Sequence, residues 1–483
     1  MRFFALSLLA SLTSASAASL LEQKIDQLIR NTPAVEAGTL GIEVVQLGTG
    51  KLLYERNANK LLTPASNTKL FSTALALTRL GPDYRIPTRI FSDRPPDGTG
   101  RIDGDLIIEG LGDPSMSFET IPYQKDAPPA NPLAAIETFA DQLVARGIRS
   151  ISGNVVGDDS AFPADWFPPG WGVDDPVWDY GAPVSALCLG SNSMKLDLSP
   201  GARAGDAAMI AIKPPLEYFV VDNRVRTGAG GDRRLDVRRP GGRELKISGN
   251  ISGPVTLWLA VDDPALYAAT ALYDALTRRG IAVAGHPAAR HRSEGNGPVA
   301  LTGPMLAERM SPPLVELLRV TDKVSQNLWA ELMLRQVARV RTGDGSRKAG
   351  LDELKAFLKE IGVADTDYVF EDGSGLSRMT LVKPDAVVRL LRFMRNSPRS
   401  AEWASLLPVG GEDGTLSGRF HKDPAARNIH AKTGSLSHVN ALSGYADSGT
   451  YGEIVFSIIV NHTSAPASDI RDFIDRIGMI LLD

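Results

Sequence analysis

Strand patterns open and close this chain, and a different kind of sequence fills the space between them. Thr39 to Gln46 alternates well enough for a strand and Lys51 to Arg56 is a second, with Leu47-Gly48-Thr49-Gly50 as the hairpin turn between them. Asn440 to Ala446 and Glu453 to Asn461 read as another pair joined through Asp447-Ser448-Gly449-Thr450. An amphipathic helix with Ile470, Phe473, Ile477 and Leu481 follows. Strands from both ends of a chain share one sheet when the residues between them form a separate body. The spacing therefore predicts one discontinuous domain, residues 18–83 and 300–483, with an insertion.

The insertion has its own patterns. Asp105 to Glu109 and Ser150 to Val156 read as strands, and Leu133 to Arg146 and Ala265 to Arg279 as helices that run into Gly147 and Gly280. This predicts an α+β domain over 84–192 and 256–299. Ser193 to Pro254 lacks helical periodicity and is full of short alternating runs and glycines, so 193–255 reads as a small nested β domain. Lys213, Arg224, Arg226, Arg233, Arg234, Arg238 and Arg239 give it a basic tone and read as a solvated surface.

Composition narrows the function. The 483 residues carry 52 Lys plus Arg against 56 Asp plus Glu, a net charge of −4, which excludes a general nucleic-acid binder as the class. Cys188 is the one cysteine, so neither an intramolecular disulfide nor a zinc site built on several thiolates is possible. Met1-Arg2, the apolar run Phe3 to Leu12 and Ala15-Ser16-Ala17 predict a cleaved secretory signal over 1–17 and a periplasmic or otherwise extracytoplasmic protein. No later segment is apolar for long enough to predict a membrane span.

No serine lies in a G-x-S-x-G elbow and no H-E-x-x-H occurs. The six histidines include no i, i+4 pair. Ser66-Asn67-Thr68-Lys69 is different. It opens a helix predicted over Asn67 to Leu80, and the i, i+3 spacing sets a hydroxyl and an amine on one face. The positive end of that helix favours a developing alkoxide and disfavours an ammonium. S-x-x-K alone also describes an N-cap serine followed by a surface lysine. Two further segments give it meaning: Ser325-Gln326-Asn327, opening another helix, and Lys432-Thr433-Gly434-Ser435, just before the Asn440 strand. S-x-x-K, S-x-N and K-T-G in that order form the set used by penicillin-binding proteins and serine β-lactamases, here with Gln in place of the usual Asp of the middle motif.

The chain thus resembles the D-alanyl-D-alanine carboxypeptidase/endopeptidase family, the class C low-molecular-mass penicillin-binding proteins. Other segments carry the resemblance across the mature chain: Gly110-Leu111-Gly112-Asp113-Pro114, Gly157-Asp158-Asp159, Ala182-Pro183-Val184-Ser185, Asp372-Gly373-Ser374-Gly375-Leu376-Ser377-Arg378, and Gly410-Gly411 with Gly414-Thr415-Leu416. The gap between the first two motifs is far longer than in β-lactamases. The resemblance implies an antiparallel sheet flanked by helices, a penicillin-binding transpeptidase-type domain with nested insertions.

It also implies the roles. Ser66 attacks the D-Ala–D-Ala carbonyl with Lys69 as base. Lys432, at ~5 Å, would repel a Lys69 ammonium by roughly 3 kcal/mol at an effective dielectric of 20, about two pK units. Backbone N–H groups of Ser66 and Ser435 make an oxyanion hole. Lys432, Thr433 and Ser435 hold the terminal carboxylate, and Gly434 and Ser437 complete the substrate-binding set. Ser325 relays a proton to the leaving D-Ala, and Asn327 binds the peptide carbonyl and steadies Lys69. Asp159 and Arg378 take the ammonium and carboxylate of a diaminopimelate third residue. The expected partners are peptidoglycan stem peptides and, as covalent inhibitors, β-lactams; no cofactor or metal is expected. The alternatives are a β-lactamase, or a non-catalytic cell-wall-binding scaffold of the same fold.

Overall fold

A computed structural model describes residues 20–230, 234–293 and 295–483; the signal segment expected over 1–17 lies outside them. The chain divides into two compact units. The first comprises the chain up to Pro82, Leu318–Ala330 and Leu351–Asp483. Strands are numbered within it, and helices by the residue ranges given below.

Its sheet has five strands: β1 (Thr39–Gln46), β2 (Leu52–Arg56), β3 (Ile429–Leu436), β4 (Val439–Ser448) and β5 (Gly452–Asn461). Their order is β3-β4-β5-β1-β2 and every pairing is antiparallel. Thr39 of β1 stands opposite Asn461 of β5, which joins the two ends of the chain in one ladder. On β5 the alternate residues Ile454, Phe456, Ile458 and Val460 are fully buried in one core with Ile25, Ile29, Ile470, Phe473 and Ile477. Burying each of these large apolar side chains contributes about 1.5–3 kcal/mol. The intervening Val455, Ser457 and Ile459 are buried too, because helix α4 (Pro384–Arg395) packs against β1, β4 and β5. A strand covered on both faces reads as a continuous apolar run, as β5 does.

Three more helices matter to the site. α1 (Lys69–Leu80) buries Leu70, Ala74 and Leu77 and ends at Gly81, whose φ is +81°. α2 (Leu314–Lys323) and α3 (Asn327–Thr342) flank Ser325. The expected helix over 67–80 begins as a 3-10 turn, Ala65–Thr68, and turns α-helical only at Lys69. The K-T-G segment lies inside β3, just before β4.

The second unit comprises Asp83–Leu317 and Glu331–Gly350. Its main sheet runs Pro287–Arg292, Val155–Pro163, Leu106–Gly110, Pro87–Ser92, Met305–Met310, parallel across the first three strands and antiparallel across the rest. Helices Ala134–Ala145 and Pro264–Arg278 bury Ile136, Phe139, Leu143, Leu272 and Leu276 in its core. The second helix starts cleanly because Asp263 accepts from the Leu266 N–H at 2.9 Å and Pro264 needs no such partner. Cys188 is buried here, and burial pushes its thiol pKa up.

Three boundaries differ from the sequence reading. Met305–Met310 pairs with Pro87–Ser92, so the second unit runs to Leu317 and the catalytic domain does not resume at 300. The single strand expected over 150–156 is two, Ser150–Ile151 and Val155–Pro163, in different sheets. The nested β body holds two three-stranded sheets around Leu196, Val225, Ile247 and Leu257. Val255–Ala260 pairs along its whole length with Ser193–Ser199, so that body extends past 255 to residue 260. No helix among the described residues is long and apolar enough to cross a membrane.

Candidate active site

Ser66 sits in the 3-10 turn at the head of α1, and Ala65 before it adopts φ +49°. A non-glycine residue in that region costs roughly 1–3 kcal/mol and persists only where the surroundings impose it. One turn on, Lys69 is fully buried. Its Nζ donates to Ser66 Oγ at 2.9 Å, to Asn327 Oδ1 at 2.6 Å and to the Ser374 carbonyl at 2.8 Å. Ser325 also has a positive φ, +64°, in the short link between α2 and α3. Lys432 Nζ, fully buried on β3, donates to Ser325 Oγ at 2.8 Å and to the Thr433 carbonyl at 2.9 Å. Burial pushes Lys432 below the ordinary lysine range, against the opposing pull of Asp322. The residues of the three motifs, distant in sequence, thus meet as two lysine–serine pairs, with Asn327 bonded to the Lys69 of the first.

Edge strand β3 lies close against the Ser66 turn. At Gly434 a Cβ would stand 2.5 Å from the Pro64 carbonyl oxygen and 3.3 Å from the Ala65 Cβ, which is why the third motif has glycine there. Asn67, oriented so that both ends of its amide are satisfied, donates to the Lys432 and Thr433 carbonyls at 2.9 and 3.3 Å and accepts from Ser443 Oγ at 2.7 Å. Thr433 Oγ1 donates to Thr415 Oγ1 at 2.8 Å. A cavity of about 560 Å³ opens between Ser66, Ser325, Thr415, Thr433, Ser435 and Arg419. Arg419 is clamped by Asp475 through bonds of 2.9 and 2.6 Å.

The loop from Asp372 to Ser377 closes the other side of Lys69. Asp372, fully buried, accepts from the Ser377 N–H at 2.7 Å and from Thr380 Oγ1 at 2.9 Å, which rigidifies the loop that offers the Ser374 carbonyl. Arg378 is exposed at its end, and its Nη1 donates to the carbonyl of the exposed Ser437 at 3.3 Å. Asp159 belongs to the second unit. There it is buried, accepts from Ser185 Oγ at 2.8 Å and pairs with His291 Nδ1 at 2.9 Å. Its hydrogen bond, with a second to Asp263, raises the His291 pKa to about 10.

Sequence reasoning missed Asn67 and Thr415, which lie inside motif segments named above without a role.

The D-Ala-D-Ala carboxypeptidase 3 (S13) family matches residues 21–479 of this chain. A D-alanyl-D-alanine carboxypeptidase of Actinomadura sp. (strain R39) is 33% identical over 477 residues, covering 95% of this chain and 84% of that protein. The D-alanyl-D-alanine carboxypeptidase DacB of Haemophilus influenzae is 25% identical over 439 residues, covering 88% and 86%. The crystal structure of penicillin-binding protein 4 (dacB) from Haemophilus influenzae superposes with a TM-score of 0.82 at 24% identity, over 95% of this chain and 99% of that one.

Proposed function

This chain belongs to the D-Ala-D-Ala carboxypeptidase 3 (S13) family, and we propose that it cleaves peptidoglycan stem peptides and their cross-links through an acyl-enzyme on Ser66. It is a serine-type D-Ala-D-Ala carboxypeptidase. One observation carries the assignment of residues: Lys69 Nζ holds Ser66 Oγ and Asn327 Oδ1 together, while Lys432 Nζ holds Ser325 Oγ.

In this reading Lys69 first gives up one proton, which turns its bond to Ser66 round, and the neutral amine then takes the Ser66 proton as Oγ attacks the D-Ala–D-Ala carbonyl. The oxyanion forms against the N–H groups of Ser66 and Ser435. Lys432, Thr433 and Ser435 hold the terminal carboxylate, with Gly434 letting β3 approach and Ser437 at its far end. Ser325, bonded to Lys432, passes a proton to the leaving amine, and water then hydrolyses the ester. β-Lactams, which mimic the acyl-D-Ala–D-Ala group, acylate the same oxygen. A β-lactam complex of the Haemophilus influenzae protein supports this part. Arg378 and Asp159 are assigned to the carboxylate and ammonium of a diaminopimelate third residue by family resemblance alone. Asp159 is already engaged by Ser185 and His291, which would share it with that ammonium. Function outside the cytoplasm after loss of residues 1–17 completes the proposal, and amino-terminal sequencing of the mature protein checks it.

Benzylpenicillin should add its mass once to the intact protein, with the label on the peptide holding Ser66, and Ser66→Ala should stay unlabelled. A label elsewhere overturns the assignment, and an adduct that clears within seconds marks a β-lactamase.

A further inference from the structure

A second cavity of the catalytic unit, of about 510 Å³, opens between β1, β2 and α4. It shares no lining residue with the cavity at Ser66. In the sheet order β1 stands three strands from β3, roughly 14 Å away. Ile42 and Val44 of β1 enter the core on one face of the sheet, so Glu43 between them points to the other. That is the face of α4: a Cβ on Gly41, two residues before Glu43, would stand 2.8 Å from Pro384 Cγ. From α4, Asp385, Arg389 and Arg392, spaced i, i+4 and i+7, line the cavity opposite Glu43.

Most of the charges around this cavity are matched. Asp385 pairs with Arg389 at 2.8 Å and Asp367 with Lys383 at 2.7 Å. Glu43 and Arg392 are not matched. Glu43 is only 8% exposed, yet its Oε2 has no hydrogen-bond partner, and the buried Nε of Arg392 has none either. Among the described residues no ion pair joins the two to each other or to a third side chain. Glu55 stands directly across the strand pair from Glu43, a like charge where an opposite or neutral one would be favourable. Arg392 reaches over the hairpin turn, where a Cβ on Gly50 would come within 2.8 Å of its Nη2. Burial, then Asp385 and Glu55, push the Glu43 carboxyl up to about 7, against the pull of Arg389 and Arg392. Buried charges are ordinarily paired, and one left without a partner is costly.

We infer that this cavity is a second ligand site, one that takes a free α-amino acid, with the ammonium on Glu43 and Glu55 and the carboxylate on Arg392. The two unmatched groups have opposite signs and line one cavity without meeting. A ligand with a single charge would satisfy one and leave the other. A zwitterion that carries both charges on one carbon answers both. No group of three side chains suited to a metal ion forms among the described residues. The reaction of this family releases such a zwitterion, D-alanine, which makes it the probe.

The test is saturation-transfer NMR of D-alanine with protein already carrying benzylpenicillin on Ser66, so that the catalytic cavity is filled. A saturable signal with a Kd on the order of 1 mM is expected. Glu43→Gln and Arg392→Met should each weaken it at least about tenfold, since each removes one of the two charge contacts. Both variants should still take penicillin at the wild-type rate, because neither residue belongs to the catalytic machinery; should one fail to fold, the other carries the same expectation. Acetate and methylamine, each with one of the two charges, should bind at least about tenfold more weakly than D-alanine. No saturable signal in the wild type, or an equal signal in both variants, would overturn the site. Methylamine or acetate binding as well as D-alanine would overturn the zwitterion assignment. The inference does not depend on the catalytic assignment: penicillin found elsewhere than on Ser66 would overturn that assignment, and the two variants would still decide this one.

Discussion

Replacing Gly375 by Ala tests whether the nucleophile's turn and the 372–377 loop are fitted to one another as closely as the structure shows. Gly375 has φ +79°, where an alanine costs about 1–2 kcal/mol. Its added Cβ would fall inside the contact distance of the Ala65 carbonyl oxygen and 2.6 Å from Thr68 Oγ1. Ordinary contact needs a displacement on the order of 1 Å, and overpacking of this kind costs about 1–3 kcal/mol. Either partner can move. If the Ser66 turn shifts, the nucleophile leaves its attack position. If the loop shifts, the Ser374 carbonyl withdraws from Lys69 Nζ, now 2.8 Å away. A misplacement of about 1 Å at a reacting group costs roughly 10²-fold in rate. The expected result is a loss of about 2–5 kcal/mol in stability and about 10²-fold slower acylation, read by fluorescent-penicillin labelling and urea melts. Gly81→Ala is the control. It has a similar φ of +81° and nothing within 4 Å of its Cβ, so it should lose only the backbone term and acylate normally. Gly375→Ala acylating within about threefold of the wild type would refute the close fit.

His291 gives a pH-dependent prediction. Its folded pKa, raised to about 10 by Asp159 and Asp263, lies above the unfolded value near 6.5. The pairing therefore stabilises fully below about pH 6.5 and fades as pH climbs toward 10. His291→Gln should cost about 1–2 kcal/mol at pH 6, after allowance for partial exposure, and clearly less at pH 10; equal losses in urea melts at both would contradict this. Arg378→Ala and Asp159→Ala should each lower kcat/KM about 10- to 150-fold on peptides with a diaminopimelate third residue and little on matched peptides without it. An equal loss on both would make these residues structural.

Much of the catalytic unit was legible because its signals are local. β1 matches its sequence pattern from Thr39 to Gln46, and β5 was read to within a residue of its start, since one alternates, the other is a long apolar run, and both have turns beside them. The motif residues could be named because each motif lies within one turn or strand. The K-T-G segment reads as part of a strand, but Lys, Gly and Ser have little β propensity and do not say which strand it pairs with. Its place in the sheet comes from pairing with β4. Met305–Met310 was assigned to the wrong domain for a similar reason, since only its partner Pro87–Ser92 tells where it belongs.

The strand order has a consequence for the timing of activity. Ser66 is made early and the β3 strand that faces it late, and β1 takes its place in the sheet only when β5 exists to pair with it. A partly synthesised chain carries the nucleophile with no oxyanion-binding strand beside it and no Lys432 opposite. Such a chain can neither cut a peptide nor be trapped by a drug. The site is therefore incomplete until the last strands close the sheet.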